Sequence, residues 1–231
     1  MRKLICIFLV AILAFLSSSI YAENQFAFRN GIMFGDSIAE VQAKETYELT
    51  LDDDGDTLSC SNITVATIDN SSIHYYFKNG KLNKVEYSFN TDALMNKDND
   101  QNLVFLLVAS NMNTVNNGLK AKYGDPIDET NPYSKIQTSI RETYEKVIAV
   151  LKLSVYASNL SASSKAQKLK QVGSEGNSYV VELDDGIVMI DHYFYSLMDH
   201  FWLHNVCYEY FTYEEVEEKL HPNEAKIVDD L

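Results

Sequence analysis

Residues 72–90 constrain the fold more than any other stretch of the chain. Ile73, Tyr75 and Phe77 alternate with other residues, Asn79-Gly80 interrupts the run, and Val85, Tyr87 and Phe89 alternate again beyond it. Apolar alternation of period two on both sides of Asn-Gly marks an antiparallel β-hairpin. Strand side chains point to opposite faces in turn, and Gly accepts the positive φ of a tight turn. A two-residue turn would pair Phe77 with Leu82 and put Val85, Tyr87 and Phe89 on the face opposite Ile73, Tyr75 and Phe77. A three-residue loop with Gly80 as the bulge residue pairs Ile73 with Val85 and restores one apolar face, so this form is predicted. Such a face must be covered by a second layer.

Helical cover is legible on both sides of the hairpin. An entry strand is expected over Phe26–Gly35, and Ser37-Ile38-Ala39-Glu40 then matches a capping box, predicting a short helix from about Ile38 to Glu45. Asp54-Gly55 is a turn dipeptide. Val104, Val108, Met112, Val115, Leu119 and Tyr123 recur at helical spacing, and Gly124-Asp125-Pro126 supplies a C-cap and a stop. Asn131-Pro132 marks a loop. Ser134 to Leu153 reads as helix, with Val147 to Leu153 equally open to a buried strand, and Ser158 to Gln171 is a polar helix or a connector. Strand patterns return at Tyr179, Val181 and Leu183, turn at Asp184-Asp185-Gly186, and continue over Ile187–Tyr195 and Phe201–Phe211 before an acidic helix from Thr212 to Leu220. The fold class is α+β, with helices packed on antiparallel β-sheet in one or two small helix-on-sheet units. Residues 23–130 form the N-terminal unit; residues 131–231, a helix plus antiparallel strands, form the C-terminal unit or join the first in one domain.

The first 22 residues have a different purpose. Arg2 and Lys3 precede an apolar block from Leu4 to Leu16 and then Ser17-Ser18-Ser19-Ile20-Tyr21-Ala22, the charged, apolar, small-residue order of a secretory signal peptide over residues 1–22. The block is shorter than the roughly 20 residues of a spanning helix, so membrane contact is expected only through this segment before cleavage. The working protein is then secreted or periplasmic. Cys6 leaves with the block, and Cys60 and Cys207 remain. In an oxidising compartment they allow one disulfide, worth roughly 4–5 kcal/mol through the unfolded chain; two separate buried thiols are the alternative. With 33 Asp and Glu against 19 Lys and Arg, the formal net charge is −14. Such a chain is repelled by phosphate backbones, so nucleic acid is not the expected partner.

The chemistry-bearing residues give little sign of catalysis. The chain has no Gly-x-Ser-x-Gly nucleophile elbow and no Gly-rich phosphate loop. His204 and Cys207, three apart on a strand, point to opposite faces. Asp52, Asp54 and Asp56 invite a Ca²⁺ loop, but with Gly55 sixth the first and twelfth positions fall on Thr50 and Ser61, where carboxylates are required. His192, His200 and His204 with Asp191 and Asp199 would suit Zn²⁺. A turn at Leu197-Met198, however, pairs Asp191 with His204, Tyr193 with Trp202 and Tyr195 with His200. That register leaves His192 on the other face beside Ile190, Phe194, Leu203 and Cys207. No cofactor is expected. The same register gathers Tyr193, Tyr195, Trp202, Tyr208, His200 and His204 on one face with Asp191, an aromatic and polar mixture of the sort found at interfaces. Tyr193, Tyr195, Trp202, His204 and Asp191 are therefore the candidate binding residues if that face is open; a helix covering it as core is the alternative.

Phe34-Gly35-Asp36-Ser37-Ile38-Ala39-Glu40-Val41, an intervening strand, and Tyr75-Tyr76-Phe77-Lys78-Asn79-Gly80-Lys81-Leu82 resemble the small repeat of the β-lactamase inhibitor protein and of SmpA/OmlA-type outer-membrane assembly lipoproteins. The resemblance covers about residues 31–90. Asp36 stands where Met is usual, and the lipidated Cys of the assembly lipoproteins is missing. What it implies is helices on an antiparallel sheet, in families that bind other proteins or the cell envelope and are not enzymes. It carries over no binding residue. The expected function is an exported, acidic binding or envelope-associated module whose partner is another protein or an envelope component. The alternative is a secreted hydrolase or metal-dependent enzyme with a site scattered through the sequence. An enzyme should show a concave pocket with converging His and carboxylate groups, a binder an aromatic surface without them. Intact-mass analysis of the exported protein should give a chain starting at or near Glu23; a mass that retains Met1 to Ala22 contradicts the signal-peptide reading.

Overall fold

The computed structural model describes residues 26–90, 101–138, 173–197 and 201–221. Seven strands form one antiparallel sheet: β1 (Thr50–Leu51), β2 (Thr57–Val65), β3 (Ile68–Lys78), β4 (Lys81–Asn90), β5 (Gly173–Glu182), β6 (Gly186–Leu197) and β7 (Phe201–Thr212), in the order β1-β2-β3-β4-β7-β6-β5. Three α-helices that lie wholly within the described residues pack on it: α1 (Ile38–Lys44), α2 (Gln101–Tyr123) and α3 (Tyr213–Leu220). The protein is therefore α+β, with helices on an antiparallel sheet. The β4–β7 pairing joins the strands of 23–130 to those of 131–231 in a single sheet.

The predicted capping box operates, and the structure adds a second. Ser37 and Glu40 close a complete capping box on α1, the Ser37 amide donating to Glu40 Oε2 at 2.7 Å. Thr212 and Glu215 do the same for α3. Each box satisfies two amides that the helix itself leaves unpaired. Helix α2 ends at Gly124, whose φ of +84° is the left-handed C-cap geometry. Asp52 holds its turn: its Oδ1 accepts from the amides of Gly55, Asp56 and Thr57 at 2.9–3.1 Å. The expected entry strand at Phe26–Gly35 does not form. That segment closes on itself through an Ala27–Met33 bridge around a 3₁₀ turn, Arg29–Gly31, with Asn30 at φ +56° and Gly31 at φ +72°.

The β3–β4 hairpin corrects one expectation in detail. Phe77 pairs with Leu82 and Lys78 with Lys81, so the connection is the two-residue Asn79-Gly80 turn, both residues at positive φ. The slip that puts both apolar sets on one face lies further along, at Asn83, because Tyr76 pairs with Lys84. Asn83 takes the bulge because its amide Nδ2 donates to the Tyr210 carbonyl on β7 at 2.9 Å. Beyond it Tyr75 pairs with Val85 and Ile73 with Tyr87, in place of the expected Ile73–Val85 pair.

The sheet buries both faces, unequally. On the broader face, α1 and the N-terminal segment cover Leu58, Cys60, Ile73, Tyr75, Phe77 and Val85, with Val41 and Ile32 among them. Next to this core, α2 lays Val115 and Leu119 on Ile68, Phe89, Tyr179, Val188, Ile190 and Val206. On the reverse face Ile187, Met189 and Phe211 pack under Val216 of α3 and Ile136 of a helical turn at 134–138. Strand β6 is buried continuously from Ile187 to Phe194 because both faces are covered there. The rest of the stretch expected as helix from Ser134 to Leu153, and the Ser158–Gln171 segment, lie outside the described residues.

The β2–β3 turn is unusual. Ala66 and Thr67 sit at φ +50° and +68° between the paired Val65 and Ile68. A tight hairpin needs positive φ at both central residues, and a β-branched residue meets that need only with strain. Replacing Ala66-Thr67 by Asn-Gly should raise stability by about 1–2 kcal/mol, read as a higher urea midpoint with unchanged slope. An unchanged or lower midpoint would show that the turn carries no strain.

Candidate functional site

The register of β6 with β7 decides where the candidate residues lie. Leu197 pairs with Phe201, so the connection spans 198–200, one residue longer than a turn at Leu197-Met198. The extra residue reverses the relative phase of the strands. Asp191 faces Cys207, Tyr193 faces Asn205 and Phe194 faces His204, in place of the expected pairs. Tyr193 and His204 consequently occupy opposite faces, and the single aromatic face does not assemble. Tyr195 and Trp202 pair with Leu203 and Ser196 in the backbone ladder; their side chains, and His200, lie outside the described residues.

The described candidates are buried. Tyr193 is 2% exposed on the reverse face, where Asn205 Nδ2 donates to its hydroxyl oxygen at 3.2 Å and to Glu86 Oε1 at 2.9 Å. Lys84 Nζ lies 3.4 Å from Glu86 Oε2. Asp191, 4% exposed on the same face, accepts a hydrogen bond from Ser178. These contacts make a buried polar layer in which Asn205 Oδ1 alone of the amide's two polar atoms has no hydrogen-bond partner among the described residues. On the broader face His192 and His204, which the expected register had separated, meet with their Nε2 atoms 2.8 Å apart. One Nε2 must donate and the other accept, so the accepting ring is neutral and the two rings are never both protonated in this contact. Burial, and then the neighbouring His192, lower the His204 pKa to about 3. Among the described residues no three His, Cys, Asp or Glu side chains converge as a metal site requires.

Cys60 and Cys207 are free and buried. They belong to β2 and β7, with β3 and β4 between them. Three strand spacings of about 4.8 Å each put the pair well past the roughly 7 Å a disulfide spans. The bridge considered from sequence is replaced by two separate thiols, and burial pushes the Cys207 thiol up.

Of the several concave features among the described residues, the one richest in aromatic walls lies elsewhere. A cleft of about 610 Å³ opens on the broader face between the N-terminal segment, the β2–β3 turn, strands β4 and β7, and helix α2. Its walls include Phe28, Tyr87, Phe89, Val206, Tyr208 and Tyr123, the Thr64–Ala66 backbone, and Thr114, Gly118 and Lys122 of α2. The last three are four residues apart, one row along the helix flank. The rings form a continuous cluster: Phe26 stacks on Tyr123 at 6.0 Å, Phe28 meets Tyr208 edge-on at 5.4 Å, and Tyr87 meets Tyr208 at 5.9 Å. Two cations stand at the cleft, Arg29 with its guanidinium 4.5 Å from the Tyr47 ring and Lys122 with its ammonium 5.0 Å from the Tyr123 ring. Arg29 Nε and the Tyr123 hydroxyl are buried and make no hydrogen bond among the described residues.

Sequence reasoning missed this site because five separated segments build it. The available signals were the aromatic density of Phe26, Phe28 and Phe34 ahead of α1, and a Gly in the middle of the α2 pattern. No family model matches the chain, nor does any curated protein or solved structure.

The His192–His204 contact has a pH signature. The folded-state pKa of His204 lies below the unfolded value of about 6.5, so the unfolded chain takes up the proton first as pH falls. The stability gained by keeping this ring neutral is complete above pH 6.5 and is lost progressively toward pH 3, at up to about 1.4 kcal/mol per pH unit. His204→Gln should flatten urea stability against pH between about 6.5 and 5, above the carboxylate range. Parallel curves for the two proteins would show that the ring titrates normally.

Proposed function

We propose that the protein is an exported binding module that takes an apolar ligand into the cleft between α2, the N-terminal segment and strands β4 and β7. The observation that carries this is the cleft itself. It is concave, of a volume usual for small-molecule sites, walled by aromatic rings, and supplied with a few polar atoms that lack partners. No His or carboxylate is among its lining residues, which favours binding over acid–base chemistry. Export rests on the charged, apolar, small-residue order of residues 1–22. The resemblance of residues 31–90 to helix-on-sheet repeats that bind proteins or the envelope points the same way, toward a secreted or periplasmic binder whose ligand comes from that environment.

Gly118 provides the test. It lines the cleft, and a Cβ added there meets nothing within 4 Å. Gly118→Leu should fill the cleft while gaining up to about 1 kcal/mol of helix propensity. With N-phenyl-1-naphthylamine, an uncharged aromatic probe, we expect saturable fluorescence enhancement by the folded protein and at least a tenfold weaker affinity in Gly118→Leu, with equal or higher thermal stability. Equal affinity in the two proteins would refute the cleft as the binding site.

A further inference from the structure

The cleft differs in charge from the rest of the chain. Asp and Glu outnumber Lys and Arg by 33 to 19 overall, yet the residues around the cleft include Arg29 and Lys122 and no carboxylate. The neighbouring basic residue of α2, Lys120, is paired with Asp125 at 2.7 Å, whereas Lys122 lies over the Phe26 and Tyr123 rings at the cleft edge. Arg29 is held from behind: its NH2 group reaches Thr46 Oγ1 at 3.4 Å and the Glu45 carboxylate at 3.5 Å. That grip leaves the Nε donor buried and unpaired beside the aromatic walls, and the buried Tyr123 hydroxyl belongs to another wall of the same cleft. A buried donor without a partner is costly, and an anionic oxygen is its strongest complement. Flat rings around the cavity favour a flat apolar body over a flexible chain, since offset and edge contacts between rings add to burial.

We propose that the cleft binds a small aromatic acid, with its ring system against Phe28, Tyr87 and Tyr208 and its anionic group toward Arg29 Nε, the Tyr123 hydroxyl and the Lys122 ammonium. This deepens the binding-module reading and rests on it. Arg29 and Lys122 are the specificity determinants, one through a fixed planar donor and the other as a mobile charge at the mouth. A neutral ring compound leaves the Arg29 donor unsatisfied, so it binds through burial alone.

The experiment compares 8-anilinonaphthalene-1-sulfonate with N-phenyl-1-naphthylamine, which has the same rings without the sulfonate, on the mature chain in the wild type, Lys122→Gln, Arg29→Lys and Gly118→Leu. Arg29→Lys keeps the charge facing Glu45 and removes the planar fork. We expect the anionic probe to bind the wild type at least tenfold tighter than the neutral one. Lys122→Gln and Arg29→Lys should each weaken the anionic probe three- to tenfold more than they weaken the neutral probe, and Gly118→Leu should weaken both. Neutral-probe binding that Gly118→Leu abolishes, with no preference for the anion, overturns the acid selectivity and leaves the cleft as a binding site. Binding of both probes that is insensitive to Gly118→Leu overturns both readings. In competition, naphthalene-1-carboxylate should displace the anionic probe at lower concentration than undecanoate, which has as many carbons in a flexible chain; the reverse order overturns the aromatic class.

Discussion

The buried carboxylate of Glu45 ties the N-terminal third of the protein together. Its side chain is fully enclosed, and its oxygens accept from the Tyr75 hydroxyl at 2.6 Å, the Thr46 amide at 2.7 Å and Asn30 Nδ2 at 3.3 Å, with the Arg29 guanidinium at 3.5 Å. Those donors come from the 3₁₀ turn, the end of α1 and the centre of β3. An enclosed charge is tolerable only when its oxygens are well supplied with donors and a counter-charge, and losing one partner of such a set leaves the rest stranded. Burial and this carboxylate together push the Tyr75 phenol well above its usual range, so Tyr75 remains a donor. Without Glu45, the segment around Arg29 keeps its own backbone hydrogen bonds and those of Gly35 and Asp36 to Leu82, but loses its side-chain anchor to the end of α1 and to β3, and the loop is one wall of the cleft.

The other organising constraint is the β4–β7 ladder. It unites two hairpin systems, β2-β3-β4 and β5-β6-β7, whose own connections are all local. With this pairing in place, Val85, Tyr87 and Phe89 align with Tyr208, Val206 and His204, so the core under α1 continues into the core under α2. Asn83 reinforces the same junction, since the residue that bulges out of β4 spends its amide on the Tyr210 carbonyl of β7. A bulge anchored in this way sets the phase of β4 against β3 and fastens β4 to β7 at once.

Much of the architecture was legible where the signal is local. Ser37 with Glu40, Gly124 after the Val104–Tyr123 spacing, and Asn79-Gly80 between alternating runs each identify an element through one nearby physical requirement. What was not legible depends on counting residues through connections. One residue more in the β6–β7 connection reverses which side chains share a face, so Tyr193 and His204 part and His192 and His204 meet. The hairpin at Asn79-Gly80 shows the same limit: the apolar pattern demanded a slip, but its location was decided by Asn83 finding an acceptor on a strand more than a hundred residues away. The cleft was invisible for a related reason, because no single segment has the composition of a site. Phe28, Tyr87, Tyr123 and Tyr208 each look like ordinary core aromatics until the sheet brings them together.

The position of the cleft follows from how the two cores meet. Phe34, Val65, Tyr87 and Tyr208 pack against both apolar clusters of the broader face, so they form the seam between them. Helix α1 is only seven residues long, and α2 crosses further along the sheet, so the seam is covered by the N-terminal loop in place of a helix. A loop whose backbone bends back through Asn30 and Gly31 cannot fill the space that a helix would, and the gap is the cleft. The strained Ala66-Thr67 turn borders the same gap, with Ala66 among its walls. Strain retained at the edge of a cavity is characteristic of sites where local stability has been exchanged for shape. A ligand seated at the seam would touch both cores together with the loop, and its binding free energy would add to the folded state as a whole by mass action. Occupancy of the cleft by such a ligand would therefore be coupled to cohesion of the N-terminal loop through Arg29, whose side chain is gripped by Glu45 and also lines the cleft.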